Sequence, residues 1–239
     1  SRAEAAPAAA GPTSFDATRA YSGYPDMIDT AELAGANTSG SPDGRLLRTD
    51  GTPIYCHVSS MHYSLPMNDE VVREVRKWLE SSPYTHAFMS CEATSDFENN
   101  AAWGKFLTTG GASEDGHDIP EPLRNLVPDH PLSQFDGELE ATQGAVQSLG
   151  LNSGSAWRSG VQVLLAQTSM TSGNPTDRVM WVTGNLDGNA ANGRVSYQTG
   201  HGYQWDMPVS DNEMANAIRL YLNTLFESTC AVAEAEPQI

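Results

Sequence analysis

Lysine is nearly missing from this 239-residue sequence: Lys77 and Lys105 are its only two. Charged residues make up 18% of the chain, and acidic side chains dominate, giving a formal net charge of −17 and a pI near 4.5. That balance argues against nucleic acid or an anionic membrane surface as a partner, because both require clustered Lys and Arg to displace counterions. Long apolar runs are also lacking, so no segment is expected to span a bilayer. Cysteine is scarce. Cys56, Cys91 and Cys230 allow one internal disulfide in three pairings, and the odd count leaves one thiol over. No CxxC pair occurs, which removes a zinc ribbon or an attached c-type haem from consideration.

The surface must instead be built from Ser, Thr, Asn, Gln and Gly, as suits an extracellular, periplasmic or salt-exposed protein. A chain that opens on Ser1 without an initiator Met reads as a processed product or as part of something longer. At this length one sizeable core is expected.

Three regions follow from composition. Residues 1–51 open on the low-complexity "SRAEAAPAAAGP" and continue through the turn-rich "YSGYPDM" and "GANTSGSPDGR". They read as an irregular N-terminal arm, a candidate for contact with other protein subunits. Residues 52–230 carry the periodic pattern of a folded domain, and 231–239 form a C-terminal tail.

Within the domain, "TPIYCHVSS" (52–60) and "YTHAFMSC" (84–91) read as strands flanking a helix over 68–82. That helix has Asn68 as its cap and Val71, Val72, Val75, Trp78 and Leu79 on one face. The βαβ pattern predicts a buried, mostly parallel sheet. A second helix is expected over 96–107. Residues 108–160 read as loop-rich, and strands are expected at 159–169, 177–184 and 193–200. A capping box, Ser210 with Glu213, begins a last helix whose stripe runs from Met214 to Phe226.

"NGRVSYQTGHGYQWDMP" (192–208) followed by "NEMANAIRLYLNTLFES" (212–228) resembles the end of ThuA-like proteins of the class I glutamine-amidotransferase-like superfamily. "HAFMSCEA" sits where that superfamily places its strand–loop–helix elbow. The likeness covers about residues 52–228. It implies a doubly wound α/β sheet of the flavodoxin-like or amidotransferase-like kind, with its site at the carboxyl ends of the strands.

In active members the positions of Cys91 and His201 hold nucleophile and general base. A neighbouring imidazolium lowers the thiol pKa enough to populate the thiolate. This sequence departs from the active pattern twice. Met89 and Ala93 replace the small residues flanking the elbow cysteine, which argues against a strained elbow. Tyr203 stands where the orienting carboxylate would, with Asp206, Glu92 or Glu98 as substitutes.

The expectation is therefore a secreted, non-catalytic α/β domain acting in assembly or in binding a ligand, carbohydrate included. The alternative is a cysteine-dependent hydrolase or amidase using Cys91 and His201. Tyr203, Trp205 and Glu92 would line the ligand cleft. Trp103, Trp157, Trp181 and Tyr197 are further stacking candidates. Asp96 and Glu98 read as acids complementing a helix N-terminus.

His57, His62 and His86 lie near strands and His117 and His130 in loops; packed or hydrogen-bonded histidines are expected rather than ligands. No cofactor is expected. The oxygen-rich loops "GNLDGNAANGR" (184–194) and "SEDGHD" (113–118) make Asp187 and Asp115 weak calcium candidates, without the EF-hand spacing.

Overall fold

The structure, a computed structural model, describes residues 28–36, 42–61, 69–90, 92–115, 124–133, 148–166, 179–199 and 222–225. His201, Tyr203, Trp205, Asp206, Cys91, Cys230, His62, His117, the Ser210–Glu213 capping box and the 231–239 tail lie outside these residues. Among the described residues an eight-stranded mixed sheet is formed by β1 (His57–Met61), β2 (His86–Ser90), β3 (Ala112–Asp115), β4 (Arg124–Asn125), β5 (Ser148–Leu151), β6 (Gln162–Ala166), β7 (Val179–Asn185) and β8 (Arg194–Gln198). The strand order is β1-β2-β8-β7-β5-β3, with β6 on β7 and β4 on β6. The character is α/β, with few helices among the described residues.

The first unit matches the βαβ expectation. β1 (His57–Met61) lies parallel to β2 (His86–Ser90), with helix α2 (Asp69–Glu80) between them in sequence. The apolar stripe of α2 is buried: Val71, Val72, Val75, Trp78 and Leu79 pack with Ala87, Met89, Val195 and Tyr197. Trp78 donates its indole N–H to the Tyr55 carbonyl at 2.8 Å, so the polar end of the ring is satisfied inside.

β2 then runs parallel to β8 (Arg194–Gln198), in register from His86↔Arg194 to Ser90↔Gln198. β2 and β8 are buried almost throughout.

Beyond β8 the expectation of a mostly parallel sheet fails. β7 (Val179–Asn185) pairs with β8 antiparallel. Only residues 186–193 connect the two strands. A parallel crossover needs a dozen residues or more, so this link can only make a hairpin. β5 (Ser148–Leu151) and β6 (Gln162–Ala166) also run antiparallel to β7, as β3 (Ala112–Asp115) does to β5 and β4 (Arg124–Asn125) to β6. The region read as loop-rich therefore contributes three strands, β3, β4 and β5. They are four residues or fewer, too short for periodicity to reveal.

Helix α3 (Glu92–Asn99) starts four residues before its expected beginning and stops well before Leu107. Asn100 ends it: its side-chain oxygen accepts from the N–H groups of Ala102 and Trp103 and turns the chain. Of the last expected helix, residues 222–225 are described as helical, with Thr224 and Leu225 buried.

The arm is docked on its own domain where it is described. Helix α1 (Thr30–Ala34) is capped by Asp29, which accepts from Glu32 N at 2.8 Å. Farther on, the N–H groups of Asp43 and Gly44 donate to the two carboxylate oxygens of Glu74, at 3.1 and 3.0 Å. Arg73 donates to the same carboxylate at 2.8 Å and to the Ala34 carbonyl at 3.2 Å. Arg73 and Glu74 are fully buried in consequence. A Cβ on Gly44 would lie 2.1 Å from the Leu33 carbonyl oxygen, so the close approach of this part of the arm to α1 requires glycine there.

Candidate functional site

Alternation along the strands sorts the central sheet into two faces. One carries Ala87, Met89, Val195, Tyr197 and Val182, under α2 and α3. The other carries His57, His86, Phe88, Ser196, Thr183 and Trp181, a mixed polar and aromatic surface. Trp181 and Tyr197 thus occupy opposite faces and cannot form one stacking platform. Trp181 pairs with Phe88 instead, ring centroids 5.7 Å apart. Trp103 lies under the Lys77 ammonium, 5.5 Å from its ring centre, and Trp157 sits near the β-bridge to Thr108.

The carboxyl ends of the three parallel strands stop together. Met61 pairs with Ser90 and Ser90 with Gln198. In open α/β sheets this is the edge where ligands bind. One residue, Cys91, separates the end of β2 at Ser90 from the start of α3 at Glu92. Met89 and Ala93, which flank Cys91 in the sequence, are both buried in the apolar core.

Glu92 opens α3 in a half-exposed position. One turn on lies Asp96, whose Oδ2 is buried and has no hydrogen-bond partner. Burial raises the Asp96 pKa, and the Glu92 carboxylate adds to the shift. The acid that complements the α3 N-terminus is Glu92, not Asp96 or Glu98.

Glu98 has a different task from that expected. Its Oε1 accepts from Leu107 N and from the Tyr197 hydroxyl, both at 2.6 Å, and its Oε2 accepts from Thr108 Oγ1 at 2.7 Å. Burial pushes its pKa up, opposed by these hydrogen bonds. The Tyr197 phenol is raised well above its ordinary value by burial and by the adjoining Glu98. Sequence reasoning missed this knot. A Glu on the inner side of an amphipathic helix, two residues before Asn100, whose turn leads on to "KFLTT", was the available signal.

Two histidines, His57 and His86, stand at the opposite, amino ends of the strands. His57 and His86 are register partners with rings 5.2 Å apart at 81°. His57 Nε2 is 2.8 Å from Ser59 Oγ. His86 Nε2 is 2.8 Å from Ser196 Oγ, which lies 2.9 Å from Thr183 Oγ1. Desolvation lowers the His57 pKa to about 4 and the His86 pKa well below its usual value. His57, Arg194 and desolvation act on His86 in the same direction, desolvation most. His130 accepts from Leu132 N at 3.2 Å within its own turn. Among the described residues no group of three or more His, Cys, Asp or Glu is placed to hold a metal ion.

Asp187 sits at φ +58 in the β7–β8 link, and its carboxylate faces two guanidiniums: Arg76 at 2.6 Å and Arg158 at 3.3 Å. A calcium ion there would have to displace both. Of Asp115 the backbone alone is described, in β3. Cys56 is disulfide-bonded. No described helix is long and apolar enough to cross a membrane.

No family model and no curated protein matches the sequence. Among solved structures, a cytoplasmic protein from Salmonella typhimurium is similar at a TM-score of 0.44 and 11% identity, covering 72% of this chain and 71% of that one.

Proposed function

We propose that this chain is a secreted, non-catalytic α/β domain of the amidotransferase-like kind that binds a ligand, or a partner subunit, at the carboxyl ends of β1, β2 and β8. The observation that carries this reading is the commitment of Glu98. It is the buried carboxylate of the helix that follows Cys91, and all its bonding serves Leu107, Thr108 and Tyr197. It is not free to orient a catalytic imidazole, and Tyr203 already stands where the superfamily resemblance would put that carboxylate. Glu92, by contrast, is half-exposed at the same edge and available to a ligand hydroxyl. Tyr203 and Trp205, which follow β8 in the sequence, are the aromatic candidates of this reading, and aromatic side chains suit a carbohydrate. The disulfide at Cys56 supports an oxidising compartment.

The ligand reading is tested with a panel of mono- and disaccharides, followed by calorimetry on Glu92→Gln, Tyr203→Ala and Trp205→Ala. Saccharide binding that these variants weaken at least tenfold supports it. Failure of every sugar, or binding indifferent to all three variants, counts against it.

One observation favours a second reading, the hydrolase or amidase. The single-residue junction leaves Cys91 between a strand end and a helix N-terminus, a position that stabilises a thiolate. Rapid alkylation of Cys91 by iodoacetamide at neutral pH, lost in His201→Ala, would replace the non-catalytic reading with this one.

A further inference from the structure

The carboxyl edge of the central sheet ends on one row of register partners. Met61 lies beside Ser90, Ser90 beside Gln198, and Gln198 opposite Trp181 on the antiparallel β7. Partners in register place their side chains on one face, and across an antiparallel pair their Cβ atoms lie about 5 Å apart. Gln198 and Trp181 are therefore neighbours on the face that also carries Phe88. Ser90, Gln198 and Trp181 are all buried. Two nitrogens of this row have no hydrogen-bond partner, the Gln198 amide Nε2 and the Trp181 indole Nε1. An indole nitrogen can only donate. A donor closed off from water without an acceptor is costly, and folded chains keep few of them.

Two β-bulges set the position of Trp181. Along β6 and β7 the pairs run Val163–Val182, Leu165–Trp181 and Ala166–Val179, so Leu164 is an extra residue on β6 and Met180 one on β7. Bulges disrupt the ladder and re-aim side chains, and they recur beside functional sites. The Trp181 ring so placed meets Phe88, centroids 5.7 Å apart.

We propose that Gln198 and Trp181 are the donors that read the ligand of this edge, that together they take one neutral carbonyl oxygen, and that the ligand is an N-acetylated sugar rather than a plain hexose. The proposal rests on the carbohydrate reading above and names the class of sugar. A carbonyl oxygen has two lone pairs and accepts two N–H groups. A carboxylate or phosphate fits poorly, because Glu92 and Asp96, on the helix that starts at this edge, are acidic and repel an anion. A hydroxyl oxygen also accepts, but it brings a proton that needs an acceptor of its own. The carbonyl end of an acetamido group brings none. The acetamido methyl finds apolar surface in the Trp181–Phe88 pair. Both donors are closed to solvent, so the edge must open to admit the ligand, and the acetamido group ends enclosed rather than laid on the surface.

The test is calorimetry on the full chain with two matched pairs, glucose against N-acetylglucosamine and galactose against N-acetylgalactosamine. At least one N-acetylated sugar should bind about tenfold more tightly than its parent hexose. Trp181→Phe keeps an aromatic ring for Phe88 and removes the N–H; Gln198→Met keeps the length of the side chain and removes the amide. Each should cost the N-acetylated sugar about fivefold more affinity than it costs the parent hexose. Parent hexoses that bind as tightly as their N-acetylated forms, or variants that weaken both alike, overturn the inference and leave the carbohydrate reading standing. Binding of none of the four sugars removes that reading and the inference with it. A measurement on the wild-type chain covers the case in which a variant fails to fold. The Trp181 indole N–H signal, found among the five tryptophans by its NOE contacts with Phe88, should move downfield with the N-acetylated sugar and not with the parent hexose. A signal unmoved at saturation overturns the inference.

Discussion

Tyr197 and Glu98 meet between the sheet and α3, phenol to carboxylate at 2.6 Å, with both side chains closed off from solvent. The contact joins the last parallel strand to the helix that follows Cys91. Two further donors, Leu107 N and Thr108 Oγ1, complete the carboxylate's shell, so the chain leaving α3 folds back on the same group. Removing one member of such a set costs more than its own hydrogen bond, because the others lose their solvation partner without regaining water.

Tyr197→Phe should therefore destabilise the fold by about 1–3 kcal/mol. Glu98→Ala should cost more, about 3–5 kcal/mol, since it strands three donors and leaves a cavity. Urea unfolding followed by tryptophan fluorescence measures both. In the double variant the costs should fall short of their sum. Strict additivity would mean that the two groups do not act together.

A second knot lies beside the first, on the same face of the sheet. Arg76 donates to the carbonyls of Trp103 and Gly104 at 2.6 and 2.7 Å, and to Asp187 at 2.6 Å, while its guanidinium lies 4.9 Å from the Phe106 ring centre. One side chain holds α2, the turn after α3 and the β7–β8 link. Arg76→Lys keeps the charge but not the planar fork that serves three acceptors. It should cost roughly 1–3 kcal/mol, and Asp187→Asn roughly 1 kcal/mol. A lysine variant as stable as wild type would show that charge alone suffices.

How far the fold could be read beforehand depended on where local pattern decided structure. The α2 stripe was visible because Val71, Val72, Val75, Trp78 and Leu79 recur at helical spacing and are all buried. On the same helix Arg73 and Glu74 look like solvent-facing charges, and are buried because the arm lies over them. Only a non-local contact accounts for that. Strand direction was legible at β7–β8 from the length of the link, a constraint that outweighs the apolar run taken as a sign of parallel pairing. The strand ending at Ser90, just before Cys91, was legible from the apolar run "HAFMS". The use of Glu98 was not, since its partners come from nine, ten and ninety-nine residues away.

The paired histidines predict acid sensitivity. Burial holds His57 near pKa 4 and His86 well below its ordinary value, so the folded protein binds fewer protons than the unfolded chain below about pH 6.5. Stability is then fully present above pH 6.5 and falls as the pH drops toward 4. The His57 ring is half-buried, which reduces its share, and roughly 1–3 kcal/mol is expected across that window. Glu98, whose pKa is raised, works in the opposite sense near its own titration. His86→Gln should flatten the decline in Tm between pH 7 and 5; an unchanged slope would assign acid sensitivity to other groups.

The docking of the arm changes how its role in assembly must be examined. Deleting residues 1–50 would remove Asp43 and Gly44 from the Glu74 carboxylate and the Ala34 carbonyl from Arg73. A buried ion pair would then face lost partners, a cost of several kcal/mol, about 3–5 by analogy with other broken buried pairs. Loss of self-association in that variant would report unfolding as readily as a missing interface. Deleting only residues 1–27 leaves these contacts in place. The shorter deletion should keep the wild-type unfolding free energy in urea within about 0.5 kcal/mol, while the longer one loses most of its stability. If the first 27 residues carry the subunit contact, the short deletion lowers the solution mass at unchanged stability. An unchanged mass by light scattering would place any assembly surface elsewhere on the domain.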